Sequence, residues 1–521
     1  MHATRINPVK EQMDAAQPSK RQTMVILSGL MLGMFMAALD QMIVSTALPT
    51  IVRELDGLEH ISWVVTAYLL ASTVAMPLYG KLGDQYGRKP VFVFVIVVFL
   101  IGSVLCGVAQ SMPQLIAFRA IQGLGGGGLM LSAMSIVADV VPPRDRGRYQ
   151  GLFGSMFGLA SIAGPLVGGF FTDHLTWRWI FYINLPIGAA ALLVAVFGLH
   201  LHKPDHGKPK IDYLGAVLIA AGVACIVLLT SWGGTQYDWD SPMIISLGIG
   251  GAALLTVFGF VETRVAEPII PMSLFRNRTV SSASGISFFV GFAMFGCIAF
   301  LPLFLQIVSG FSATNSGFLT LPLMAGLLVT SIVAGRLTSR TGHYKIFPIA
   351  GTLIAIIGMF LLSTMDQDTT RAQSGLYMLV LGAGLGMVMQ TVILAVQNTV
   401  ERKDLGTGTS TVTFARQVGA SFGVAVFGAI FNNRLSAELS TRLPDGANPP
   451  RTNSISRDVI DALPPQLRDA VLASFSHALT DVFRYALPFM VVAFAATWFL
   501  KEEPLRGAPA AQEVPLDKVA L

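Results

Sequence analysis

Charge is what this sequence has least of. Only 12% of its 521 residues are Asp, Glu, Lys or Arg, against 53% hydrophobic ones, too few charges to solvate a water-soluble chain of this size. Cysteine is nearly missing as well. Cys106, Cys225 and Cys297 stand far apart, each inside a long apolar stretch, which excludes a disulfide framework and metal-ligand spacing. Residues 1–23 hold no apolar run of signal-peptide type, so they read as a cytosolic tail. The glycine-rich stretch "RAIQGLGGGG" from Arg119 has no Lys-Ser/Thr ending and sits in an apolar segment, so it is no phosphate loop. With no catalytic triad or cofactor motif in view, the expectation is a protein that is not an enzyme and needs no cofactor or metal.

What the sequence does contain is apolar length. Fourteen segments of about 20 residues, from Met24–Leu48 to His477–Leu500, are separated by short polar loops, and each can cross a ~30 Å hydrocarbon core as a helix. Helices satisfy their own backbone groups in lipid, so the expected fold is an all-α integral membrane protein. Positive charge is distributed unevenly among the loops. With the amino terminus inside, 24 of the 35 Lys and Arg fall in inside segments and 8 in outside ones, which places both termini in the cytosol. The basic balance is a matter of topology and calls for no nucleic-acid partner.

An internal repeat divides the chain. "GKLGDQYGRKPVF" from Gly80 and "GRLTSRTGHYKIF" from Gly335 share two glycines, a leucine and a final phenylalanine at an offset of 255, and the same offset takes Gly164 to Gly419 and Gly168 to Gly423. Two parallel six-helix halves produce such a pattern, a known transporter plan with its site between the halves at the midplane. The expected organisation is a tail (1–23), a first bundle (24–199), a linker with two extra spans (200–278), a second bundle (279–500) with an outer loop at 432–476, and a tail (501–521).

Asp40, in "MAALDQMIVSTALPT", is the one acid far from both ends of its span. A charged Asp at the bilayer centre costs at least ~2.5 kcal/mol, so it should face a cavity or a partner. Apolar surroundings favour the neutral form of a carboxylic acid, and a nearby cation the ionised form. An acid held between these influences suits proton coupling; a simple helix-to-helix hydrogen bond is the alternative. By helical rise, the head of Arg119 can approach the level of Asp40, or it can snorkel to the outer interface. Gln122 follows it, and Gly123 and Gly125 to Gly128 permit close helix approach.

"AGPLVGG" joins Pro165 in mid-helix to Gly164, Gly168 and Gly169, either a bending point or a packing groove. "GKLGDQYGRKP" concentrates Asp84, Arg88 and Lys89 in a turn at the cytosolic edge. There Asp84 can sit on the positive end of the helix starting near Thr407, with Asp139 as a partner for Arg88. Arg416 lies deep in its span with no deep acid in its half; it lines the cavity or bonds to carbonyls. Met31, Met34, Met36 and Met42 offer the first helix a soft surface for varied apolar ligands, or fill gaps.

Together these residues resemble the major facilitator superfamily, and within it the fourteen-helix drug:proton antiporters, over nearly the whole chain. "GKLGDQYGRKP" is similar to the superfamily's cytosolic loop motif, which implies gating roles for Gly80, Asp84, Gly87, Arg88 and Lys89. "RAIQGLGGGG" resembles the fourth-helix motif, whose arginine, here Arg119, is assigned to proton transfer. "AGPLVGG" resembles the antiporter motif of the fifth helix, with Ala160 where a glycine is usual. "LDQMIVSTALP" resembles the branch's first-helix motif and puts its acid on Asp40, with Gln41 and Met42 replacing the commoner residues. The resemblance implies two rocking bundles with the extra pair outside them. It implies a monomer in the cytoplasmic membrane that exchanges protons for amphipathic, often cationic compounds. A carrier for one physiological cargo, such as a lipid, siderophore, peptide or metabolite, would use the same motifs; an uncoupled receptor or channel fits the repeat and the lone acid less well.

Overall fold

The structure is a computed structural model, and it describes residues 20–56, 60–199, 211–234, 236–311, 318–442 and 460–505. Fourteen apolar helices follow one another: α1 Lys20–Leu55, α2 Ile61–Tyr86, α3 Arg88–Gly107, α4 Met112–Val140, α5 Pro143–His174, α6 Trp179–Gly198, α7 Tyr213–Trp232, α8 Pro242–Glu262, α9 Arg278–Val308, α10 Leu321–Thr341, α11 Ile346–Leu362, α12 Arg371–Thr399, α13 Leu405–Arg442 and α14 Pro465–Trp498. Local chemistry sets several of their starts. Asp212 and Ser241 accept from the backbone N–H groups of Gly215 and Ile244 at the heads of α7 and α8. Thr370 and Gln373 form a reciprocal capping box on α12, the arrangement that satisfies two orphan donors at once.

Several boundaries differ from the hydropathy reading. The segment expected as an outer loop, 432–476, is helical up to Arg442 and again from Pro465; residues 443–459 lie outside the described residues. Hydropathy falls where polar residues enter, but Leu435 and Leu439 keep a buried stripe that joins the cluster containing Val471 and Phe475, so an amphipathic helix continues. The tenth span is helical over Leu321–Thr341, with Pro322 in its first turn, a position that suits proline; its expected start near Thr314 falls in 312–317, outside the described residues. So are 1–19 and 506–521, which carry most of both expected tails, and 200–210 of the linker.

Helices α1 to α6 pack into one half and α9 to α14 into the other. The extra helices α7 and α8 pack on each other, and α7 also lies against α2 and α13. Leu70, Val74 and Leu78 of α2 and Phe414 of α13 meet Ile219 and Val223 there. Trp63 and Trp232 touch edge to face at 5.4 Å. The extra pair therefore flanks the seam between the halves.

The halves meet at the end of the molecule that carries the Lys- and Arg-rich loops, here called the basic end. Small residues make this approach possible: Gly80 of α2 rests on Ser410 and Gly406 of α13, and Gly147 of α5 on the backbone of Gly335 of α10. Burial is continuous over Leu131–Ala138 of α4, Thr391–Asn398 of α12 and Leu405–Thr413 of α13. Several hydroxyls in this plug bond to carbonyls of their own helix, as Thr409, Thr411 and Thr413 do to Leu405, Thr407 and Thr409, and so satisfy their O–H donors without a partner on the neighbouring helix. Beyond the plug burial relaxes: Gln41, Met42, Met387, Arg416 and Gln417 are half-buried.

Candidate functional site

Asp40 is fully buried on α1, and three side chains donate to it. Arg119 Nη1 reaches Oδ2 at 2.6 Å, Gln122 Nε2 reaches Oδ1 at 2.7 Å, and Asn184 Nδ2 reaches Oδ1 at 3.0 Å. One carboxylate thus ties α1 to α4 and α6. Hydrogen bonds to a charged group contribute ~1.5–3 kcal/mol each, which offsets the cost of burying the ion. Arg119 is equally enclosed: it also donates to Val64 O and Gln122 Oε1, and it lies over the Tyr68 ring at 4.3 Å. It does not snorkel to the interface.

The glycines of α4 make this enclosure possible. A Cβ at Gly123 would strike the Tyr68 backbone, one at Gly126 the Tyr68 hydroxyl, and one at Gly125 the backbone of Phe99. Asn184, Ser103 and Tyr68 went unread in the sequence. Asn184 is the single amide in the apolar run of α6, which was the available signal; Ser103, which accepts from Gln122 and Asn184, had none.

The second constellation is at the basic end. Asp84 accepts from Gly406 N at 3.0 Å, Thr407 N at 2.7 Å and Thr407 Oγ1 at 2.7 Å, so an anion from the first half caps a helix of the second, a favourable placement. Arg88 pairs with Asp84 and reaches Asp139 at 3.2 Å. Gly87, the single residue between α2 and α3, has φ 94, a backbone state that favours glycine. Lys89, half-buried, donates to Val196 O at 2.7 Å, a contact inside the first half. A further link was missed. Buried Arg146 donates to Ala138 O, Val141 O and, across the seam, Gln397 O at 3.2 Å. In sequence it looked like one more topogenic arginine. Beside the gate, burial and then the charge of Asp84 push the Asp404 carboxyl above its ordinary range.

The geometry can be set beside known proteins. The model of the Major Facilitator Superfamily matches residues 30–212 and 213–424. The chain belongs to the major facilitator superfamily. It is 37% identical to the multidrug transporter protein MdtP of Bacillus subtilis (strain 168), across 95% of this chain and 96% of that one. An uncharacterised MFS-type transporter of Mycobacterium tuberculosis (strain ATCC 25618 / H37Rv) is 46% identical across 92% of this chain and 70% of its own. Among solved structures, the proton:xylose symporter XylE superposes with a TM-score of 0.62 at 15% identity, covering 94% of this chain and 98% of that one, a likeness of fold alone. The protein is a multi-pass membrane transporter with multidrug-efflux relatives, and not an enzyme.

In this facilitator the "AGPLVGG" residues divide. Gly164 and Gly168 press on Met42, Ile43 and Thr46 of α1, whereas Gly169 has open space around it and Pro165 is exposed within a helix that runs unbroken from Pro143 to His174. Their counterparts Gly419 and Gly423 press on Phe288 and Phe292 of α9, so the fifth helix of each half packs on the first of its half. Met34 and Met36 are packed into the core, while Met31 and Met42 are only half-buried. Arg416 lies against Gly291 of α9, half-buried, and its guanidinium makes no ion pair or hydrogen bond among the described residues.

Proposed function

We propose that this transporter exports amphipathic compounds, cations among them, across the cytoplasmic membrane in exchange for protons. The observation that carries the reading is the cage around Asp40. A carboxylate cut off from water, held by Arg119, Gln122 and Asn184, changes its bonding when it takes up a proton: the ion pair with Arg119 weakens and one acceptor oxygen becomes a donor. Because Asp40 bridges α1, α4 and α6, protonation alters how these helices hold each other. The closed gate at Asp84, Arg88 and Arg146 is the other half of an alternating-access cycle. In this reading the basic end faces the cytosol with both termini, the closed gate leaves the central cavity facing outward, and the transporter works as a monomer. Each proton moving inward through 100 mV supplies ~2.3 kcal/mol. The name of the Bacillus relative, a multidrug transporter, supports export of drug-like compounds.

The test is transport in proteoliposomes of wild-type and Asp40→Asn protein with a fluorescent amphipathic cation, with and without a pH gradient. The Asn variant should insert and allow passive equilibration but lose pH-driven accumulation. Undiminished accumulation by that variant would refute the mechanism.

A further inference from the structure

Arg416 poses a problem that the proton cycle does not solve. An arginine within the membrane is costly and ordinarily finds a partner. Along α13 it stands ~18 Å from Asp404 at the basic end and ~27 Å from the level of Arg434, and Asp481 at that far level is already engaged by Arg434 and Arg484. The other acids of the second half among the described residues, Asp366, Asp368, Glu401, Glu438, Asp461, Asp469, Glu502 and Glu503, lie at or beyond the helix ends. Asp40, in the first half, is enclosed by its own three donors. The chain as described therefore provides no anion for Arg416.

Its position gives the cation a use. Burial is continuous from Leu405 to Thr413 and relaxes at Phe414, so Arg416 is the first charge of α13 above the plug. Gly291 leaves room for it beside α9. On the same stretch of the two helices, half-buried Phe288 and Phe422 have their rings 6.5 Å apart. A guanidinium with free donors matches a carboxylate or similar oxyanion, and neighbouring rings suit an apolar body.

We propose that Arg416 forms an anion-recognition site in the second half of the cavity, taking the acidic group of amphipathic acids or zwitterions as cargo. The inference rests on the exporter reading for its meaning as a cargo site, and it adds to that reading a class of compound that Asp40 by itself would repel.

The experiment uses the full-length purified protein and a matched dye pair, a carboxyl-bearing rhodamine and its methyl ester, which differ by one negative charge. Wild-type protein should bind both. Arg416→Gln should weaken the acid about tenfold or more, as loss of a charge-assisted bond predicts, and leave the ester unchanged; Arg416→Lys should recover part of the acid affinity. Equal acid affinity in wild type and Arg416→Gln, no acid binding by folded wild type, or an equal loss for both dyes overturns the proposal. Should the Gln variant not fold, glyoxal labelling of Arg416 in the wild type decides: the acid should protect it and the ester should not, and no protection counts against the site. Proton-driven uptake of the ester into vesicles is measured in parallel; its failure removes the exporter reading and leaves the binding result standing.

Discussion

Replacing Asp84 by Asn should open the basic end. Oδ2 of Asp84 accepts both the backbone N–H and the hydroxyl of Thr407 at 2.7 Å, and Oδ1 accepts Gly406 N at 3.0 Å as well as Arg88. An amide of the same shape keeps one acceptor and turns the other position into a donor facing donors. Two hydrogen bonds to a charged oxygen are lost, each ~1.5–3 kcal/mol by itself, along with the attraction of an anion for the head of α13. Some of this is recovered by water once the seam parts and by Asp139, which still holds Arg88 at 3.2 Å. A net bias of about 3 kcal/mol against the closed form remains, a shift on the order of a hundredfold in the closed-to-open ratio. Spin labels at exposed Asp145 on α5 and Arg340 on α10, with the three cysteines replaced, report the separation of the halves. The closed distance should dominate in the parent and a longer one in the Asp84→Asn protein. Identical distance distributions would show that Asp84 does not hold the seam, and that the contacts of Gly147 with Gly335 and of Arg146 with Gln397 suffice.

Two more outcomes follow from the same end of the molecule. Gly87→Ala places a side chain at φ 94, where strain of ~1–3 kcal/mol is expected; its melting temperature should fall, and an unchanged value would mean that the α2–α3 turn adapts freely. Asp404 is pushed above its ordinary range by burial and by Asp84, so the closed form binds a proton there more tightly than a form in which the carboxyl is solvated. The closed population should therefore rise as the pH on the basic side falls through that raised value, and decline as the pH rises above it. Asp404→Asn should flatten this dependence, and an equally steep profile in the variant would assign it to another group.

Much of the architecture was legible because lipid imposes simple rules. Apolar length marked the helices, loop charge implied an orientation, and a repeat at an offset of 255 pointed to two halves. The polar residues stood out by their strangeness: an aspartate or an arginine among leucines needs a reason, which is why Asp40, Arg119 and Arg416 drew notice. Ser103, Asn184 and Gln397 did not, since an uncharged polar side chain interrupts an apolar run less sharply than a charge does, even where, as at Asn184, it is the single amide of its run. Lys89 and Gly169 were read by their place in a motif, and only their surroundings show that they face away from the contacts of their neighbours. The outer loop was misjudged because α13 and α14 continue as amphipathic helices beyond their apolar runs.

Composition and order along the chain determined, without coordinates, that this protein is a bundle of membrane helices in two related halves, because each span must satisfy its own backbone in lipid wherever its neighbours lie. Which polar groups meet was decided by tertiary structure alone. Arg119 reaches Asp40 across 79 positions of sequence, and Thr407 reaches Asp84 across 323. Such pairings depend on how helices cross and where glycines let them approach, and neither can be read from the order of residues within a single helix.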